Sequence, residues 1–118
     1  MPKLKFDYDR KYDNLFMHVP GSKSADSVLL GDLVLDFDKK KNLVGMEFTN
    51  ASRFVSRITF SKDTAAVKEL LAGLKECRMD VVQENEILTI RIHLVGKSSE
   101  LTPVLSVPFA TEPAIACA

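Results

Sequence analysis

At 118 residues, with 46% hydrophobic and 27% charged side chains, the chain has the size and composition of one globular domain, which excludes wholesale disorder. Its 16 Lys and Arg balance 16 Asp and Glu, so the formal net charge is zero and no basic footprint for nucleic acid is present. Two cysteines, Cys77 and Cys117, fall short of a disulfide framework or a zinc quartet, and no stretch approaches the ~20 apolar residues that span a bilayer.

The opening Met-Pro-Lys-Leu-Lys-Phe-Asp has no apolar signal core, and two free thiols suit a reducing compartment, so the expectation is a soluble cytoplasmic protein without membrane contact. Leu4, Phe6 and Tyr8 alternate with Lys5, Asp7 and Asp9, the period of a half-buried strand. After the polar turn Asp9–Asn14, Leu15, Met17 and Val19 share one face of a second strand, while Phe16 and His18 share the other. Pro20–Ser24 is a loop by composition. From Val28 to Phe37 apolar residues occupy both faces, broken only by Gly31-Asp32, which fits a strand pair covered on each side by protein or by a partner. Asp38-Lys39-Lys40-Lys41-Asn42 is the clearest hairpin connection, between Leu33, Leu35 and Phe37 on one arm and Val44, Met46 and Phe48 on the other. Gly45 inside the second arm signals a bulge or a close backbone approach.

Residues 50–60 admit either a short helix capped by Asn50 or Ser52, or a strand. The pattern predicts an amphipathic helix over about residues 62–74, with Ser61 as N-cap, an apolar stripe of Ala66, Val67, Leu70, Leu71 and Leu74, and an end near Gly73. A hairpin follows, Arg78–Glu84 and Ile87–Leu94, the second arm turning Leu88, Ile90, Ile92 and Leu94 inward and His93 outward. The last strand, about Leu101–Phe109, carries Pro103 and Pro108 and belongs at an edge or bulge. The predicted fold is α+β: an antiparallel β-meander of about seven or eight short strands with one amphipathic helix packed on one face. Residues 1–110 form the single globular domain and 111–118 a loose tail.

With these strands placed, Tyr8-Asp9, Asp13-Asn14-Leu15-Phe16-Met17, Asp36-Phe37-Asp38, Val44-Gly45-Met46-Glu47-Phe48 and Asn50-Ala51-Ser52 resemble domain-of-unknown-function family 2283. The resemblance covers about residues 6–52, with the following helix and strands as a C-terminal extension. Phe16, Met17 and Phe37 replace the family's usual Tyr, Ile and Tyr. It implies a small β-meander with a helix that assembles with copies of itself, and it implies no established activity and no catalytic residue. Members encoded beside small toxin-like proteins imply a further role, the sequestering of such a neighbour or of a regulatory protein.

Candidate chemistry is sparse. His18 and His93 are the only histidines, and a metal site requires them to converge with a carboxylate or Cys77. Asp7/Asp9 and Asp36/Asp38 each point to one side of a strand, and four carboxylates could gather only if the first and fourth strands came close. The bland alternative is that aspartates at hairpins bond the turn amides. His18, His93, Asp36 and Asp38 therefore stand as metal candidates, with no catalytic or cofactor-binding residue and no cofactor expected. Lys39–Lys41 could touch phosphate or an acidic partner, or be a solvated tip. No phosphate loop precedes a helix. The expected function is a non-enzymatic, homo-oligomeric interaction module. The alternatives are a sequestering partner for a small protein, and a small-ligand binder or enzyme with a site at a subunit interface.

Overall fold

In the computed structural model, residues 3–109 are described; the tail expected at 111–118 lies outside them. The alternating segments become β1 (Lys3–Asp9), β2 (Asn14–His18), β3 (Asp26–Leu30), β4 (Leu33–Phe37) and β5 (Leu43–Phe48). Two helices follow, α1 (Ala51–Ile58) and α2 (Thr64–Ala72), then β6 (Glu76–Glu84), β7 (Ile87–Val95), β8 (Glu100–Leu101) and β9 (Val104–Pro108). The fold is α+β, as the sequence pattern implies. Residues 50–60 resolve as a helix, and the final proline-bearing strand is divided in two, with the buried Pro103 between the pieces.

All strands pair antiparallel in one curled sheet of order β3-β4-β5-β2-β1-β6-β7-β8, with β9 also pairing β7. The curl has a seam. β1 and β6 share only two paired positions, Lys3 with Arg78 and Leu4 with Cys77, so beyond them the two halves of the sheet diverge. Their inner faces supply one core: Leu15, Met17, Leu35, Met46 and Phe48 from the first half, and Cys77, Ile90, Ile92 and Leu94 from the second. The helices insert Val55, Val67 and Leu71 into the same cluster. Opposite the seam, Phe37 stacks on Phe109 with ring centroids 4.7 Å apart, joining the end of β4 to the residue after β9.

α2 begins two residues later than the sequence pattern suggests. Asp63, not Ser61, is its N-cap, and the Asp63 carboxylate accepts the Ala66 amide at 3.0 Å. A charged acceptor facing the positive end of a helix outcompetes a hydroxyl two residues earlier, and the Ser61 hydroxyl instead accepts the Asp63 amide. Gly73 closes the helix as expected.

α1 is capped from elsewhere in the chain. Its own N-cap residue, Asn50, is in the left-handed region (φ 50°) and makes no side-chain cap bond. Asp13, in the turn between β1 and β2, takes that place. Its carboxylate accepts the Ser52 amide at 3.1 and 3.2 Å and the Ser52 hydroxyl at 2.6 Å, and its carbonyl accepts the Ala51 amide at 2.7 Å. The Tyr8 hydroxyl donates to the same carboxylate at 2.5 Å. Burial pushes the Asp13 carboxyl upward, but the donors from Ser52 and Tyr8, with the charge of Lys68, prevail and hold it below its ordinary value. Burial first, then the bond to Asp13, raises the Tyr8 phenol above its ordinary value.

The sign of the resulting pH dependence follows directly. A depressed carboxyl contributes stability above its unfolded value of ~4, lost as pH falls through the folded value; a raised phenol contributes below its unfolded value of ~10, lost as pH rises through the folded one. Asp13→Ala should lower unfolding stability by about 2–3 kcal/mol in urea titration at pH 7, combining a lost cap with an orphaned Tyr8 hydroxyl. The deficit relative to the parent protein should shrink as the medium is acidified below pH ~4.

The β6–β7 hairpin turns through Asn85 (φ 50°) and Glu86 (φ 62°), both left-handed, as a two-residue turn of this hand demands. Asn tolerates that region, but Glu carries a Cβ penalty there. Glu86→Gly should raise the urea midpoint, by an amount corresponding to about 1 kcal/mol.

Candidate functional site

The helices pack on the inner face of the sheet, and among the described residues no second layer covers its outer face. Paired positions place these residues in two rows across the first half. One row runs Leu29, Val34, Glu47, Phe16, Asp7, and the other Ser27, Asp36, Gly45, His18, Lys5. The first is apolar at three positions, with Leu29 73% and Phe16 48% exposed. This is the outward face that the two-sided pattern of Val28–Phe37 anticipates.

β3 adds a second feature. It ends the sheet, pairing only with β4, and all five of its residues are exposed. Antiparallel pairing aims every second residue's N–H and C=O away from β4, where no described strand takes them. Edges of this kind are normally blunted by lysine, proline or a bulge. The sequence Asp26-Ser27-Val28-Leu29-Leu30 contains none of these, and its register with β4 is unbroken. At the other end of the sheet, Pro103 separates β8 from β9 and Pro108 terminates β9.

The second row holds a small notch of about 170 Å³ lined by His18, Ser22, Ser24, Asp36, Val44 and Gly45. Gly45 creates it. A Cβ there would sit 3.2 Å from both the Asp36 Oδ2 and the Met17 carbonyl, so the missing side chain lets Asp36 lean across β5 toward His18. Next to Gly45 the β4–β5 register shifts between Asp36 and Phe37, leaving Val44 as the extra residue. The sequence offered a bulge or a close approach at Gly45; both are present. Asp36 also accepts a hydrogen bond from the Ser27 hydroxyl.

The remaining sequence candidates are dispersed. His93 lies on β7, three strand spacings (about 14 Å) from the β2 of His18, and its buried Nε2 meets no hydrogen-bond partner among the described residues. Asp38 is absorbed by its own turn, its Oδ1 accepting the Lys40 and Asn42 amides at 2.9 Å each. The Asn42 amide leads the interactions that hold the Asp38 carboxyl below its usual value. The Asp9 Oδ1 likewise accepts the Lys11 and Tyr12 amides of its own turn. β1 and β4 are separated by β2 and β5, so the two aspartate pairs do not gather. Among the described residues no three His, Cys, Asp or Glu side chains converge as metal ligands. Cys77 is fully buried, and burial pushes its thiol up to about 12. No described helix is long and apolar enough to cross a membrane.

Sequence reading missed that Val28–Leu30 is a terminal strand, because edge position is a property of the sheet order and not of local pattern. It also missed the capping role of Asp13, whose partner Ser52 is 39 residues away.

Comparison with known proteins fits these features. Residues 5–52, spanning β1 to the first turn of α1, match the family model described as "Protein of unknown function (DUF2283)". An uncharacterised protein of Methanocaldococcus jannaschii is 43% identical over 99 residues, covering 84% of this chain and 80% of the relative. A protein of Methanosarcina mazei named as a putative hypoxanthine phosphoribosyltransferase is 28% identical over 99 residues, covering 82% and 72% respectively. No solved structure matches.

The tight approach over Gly45 makes a direct test. Gly45→Ala should destabilise by about 1–3 kcal/mol in urea titration, since the Met17 carbonyl is fixed by the sheet and cannot retreat as a flexible side chain could.

Proposed function

The chain belongs to the DUF2283 family of proteins of unknown function, and from that premise and the geometry of its sheet we propose that it is an interaction module that assembles with a second copy of itself through β3. The observation that carries this reading is the contrast between the two ends of the sheet. One is interrupted by proline, and the other is a straight, exposed, apolar strand with free backbone groups.

A second copy suits this edge in charge as well as in pattern. Antiparallel self-pairing centred on Val28 sets Ser27 opposite the partner copy's Leu29 and Asp26 opposite its Leu30, so no like charges face each other. The two Asp26 carboxylates fall at opposite ends of the paired strands. Directly opposed residues share a face, so the Leu29–Val34–Phe16 strip of each copy lies on the same face as that of the other, offset from it by two residues and running into the partner copy's Ser27–Asp36 row. Zero formal net charge leaves little long-range repulsion to oppose association.

Phosphoribosyl transfer, the activity in the name of the Methanosarcina relative, gains little support from this fold. Phosphate commonly docks on free amides at a helix N-terminus. Here Asp13 occupies that end of α1 and Asp63 that of α2, each with a carboxylate already in place. Sequestration of a small protein through β3 would use the same edge, and competes with self-pairing for it.

Light scattering at micromolar concentration should give twice the 13.1 kDa chain mass or an even multiple of it. Leu29→Lys places a charge on the exposed edge and should yield a folded monomer with unchanged circular dichroism. A monomeric parent protein would refute self-pairing.

A further inference from the structure

We propose that the cleft between the 20–25 loop and the 38–42 turn binds a small phosphomonoester, its phosphate held by Lys23, Lys39 and Lys40 and its organic end, bearing hydrogen-bond donors, turned toward Asp36. The site is separate from β3 pairing, and neither reading depends on the other.

The cleft has a volume of about 690 Å³, within the range of small-molecule sites. Lys23 comes from the loop and Lys39 and Lys40 from the turn, brought together by the antiparallel register of β3 and β4. None of the three ammonium groups has a carboxylate within 4.0 Å among the described residues. The sole carboxylate lining this cleft, Asp38, is engaged on both oxygens, with the Lys40 and Asn42 amides on one and the Asn42 side-chain amide on the other. Three lysines thus line one cleft against the single carboxylate of Asp38, a local cationic excess in a chain whose overall charge is zero.

The walls are fixed rather than loose. The Ala25 amide donates to the Phe37 carbonyl at 2.7 Å and the Val19 amide to the Val44 carbonyl at 2.8 Å, pinning both ends of the loop to β4 and β5. The Asp38 amide to Asn42 carbonyl bond, 2.9 Å, closes the turn. Lysines on anchored backbone give up less freedom on capturing an anion than lysines on a mobile tip.

Ser24 lines both this cleft and the notch holding His18 and Asp36, so the two spaces adjoin. That adjacency gives the site a polarity. The Asp36 carboxylate repels an anion and attracts a donor or ammonium, while the lysine end does the reverse. A phosphomonoester carries close to two negative charges near neutrality, against one for a phosphodiester, and therefore suits three lysines better than a lipid headgroup does.

The test is amide chemical-shift titration of the full chain by NMR, with O-phosphoethanolamine, methyl phosphate and the diester glycerophosphoethanolamine as probes. O-Phosphoethanolamine should shift the Lys23, Ser24 and Lys40 amides saturably, with Kd of about 1 mM or lower. Methyl phosphate should bind the same residues several-fold more weakly, and the diester more weakly than O-phosphoethanolamine. The double variant Lys39→Glu/Lys40→Glu should lose about tenfold or more for each probe. Lys41→Glu, altering a lysine outside the cleft, should not. Asp36→Asn should abolish the preference for phosphoethanolamine over methyl phosphate. Absence of saturable shifts, or equal loss from Lys41→Glu, overturns the site. Equal affinity for the two monoesters overturns the role of Asp36, and a diester that binds as well as the monoester assigns the cleft to headgroups instead.

Discussion

The carboxylate of Asp13 is the constraint on which the arrangement of this protein turns. It receives the amide and hydroxyl of Ser52 and the hydroxyl of Tyr8, so a single side chain joins β1, the β1–β2 turn and the start of α1. A second tie runs close by: Asp32, in the β3–β4 turn, accepts the Thr49 amide through its carbonyl, and the Thr49 hydroxyl and Asn50 side chain through its carboxylate. Together they fix where the chain leaves β5 and in which direction α1 sets out. Because α1 is held against the inner face, Val55 and its neighbours complete the core there, and among the described residues no helix packs on the outer face.

That constraint also explains why the family resemblance lies where it does. Tyr8, Asp13 and Ser52 all belong to the motifs that suggested the family, and all three meet at one point. Their positions near both ends of the matched span 5–52 look unrelated in the sequence, yet they are the two sides of one hydrogen-bonded junction. The motifs carry a fold, and no chemistry can be read from them. Gly45 stands apart: its lack of a Cβ admits the Asp36 carboxylate above the strand and opens the notch beside His18.

Much of the fold was legible because alternation is a local signal. Leu15/Met17 against Phe16/His18, and Leu88, Ile90, Ile92 and Leu94 against their neighbours, fall on the faces their spacing implies. The prolines at 103 and 108 marked an edge for the stated reason, a missing donor. What could not be read was everything decided by partners distant in sequence. Residues 50–60 carry no strong helix signal, with Asn50 left-handed and no cap of their own; the cap arrives from Asp13. Ser61 has the N-cap chemistry, but the charged carboxylate of Asp63 takes the Ala66 amide. Lys23 and Lys39 are sixteen residues apart, and only the pairing of Asp26 with Phe37 makes them neighbours. For the same reason the sequence left the lysine turn open between a solvated tip and a contact for phosphate or an acidic partner.

The two halves of the sheet divide the work unequally. β6, β7, β8 and β9 close the core and end in proline, offering little for another strand to join. The first half holds the uncovered face, the free strand and the lysine cleft. These arise from one excursion of the chain: after β2 it leaves the sheet at Val19, crosses the loop to Ala25, and returns as β3 beyond β4 instead of beside β2. The loop forms one wall of the cleft, and the strand that follows it becomes the edge. A shorter connection would have paired β3 with β2, removing the edge and the cleft together. Covering the edge with lysine would have protected the monomer at no cost to the core, since all five β3 residues are exposed. Val28, Leu29 and Leu30 instead leave that edge open, which is the feature the proposed pairing with a second copy uses.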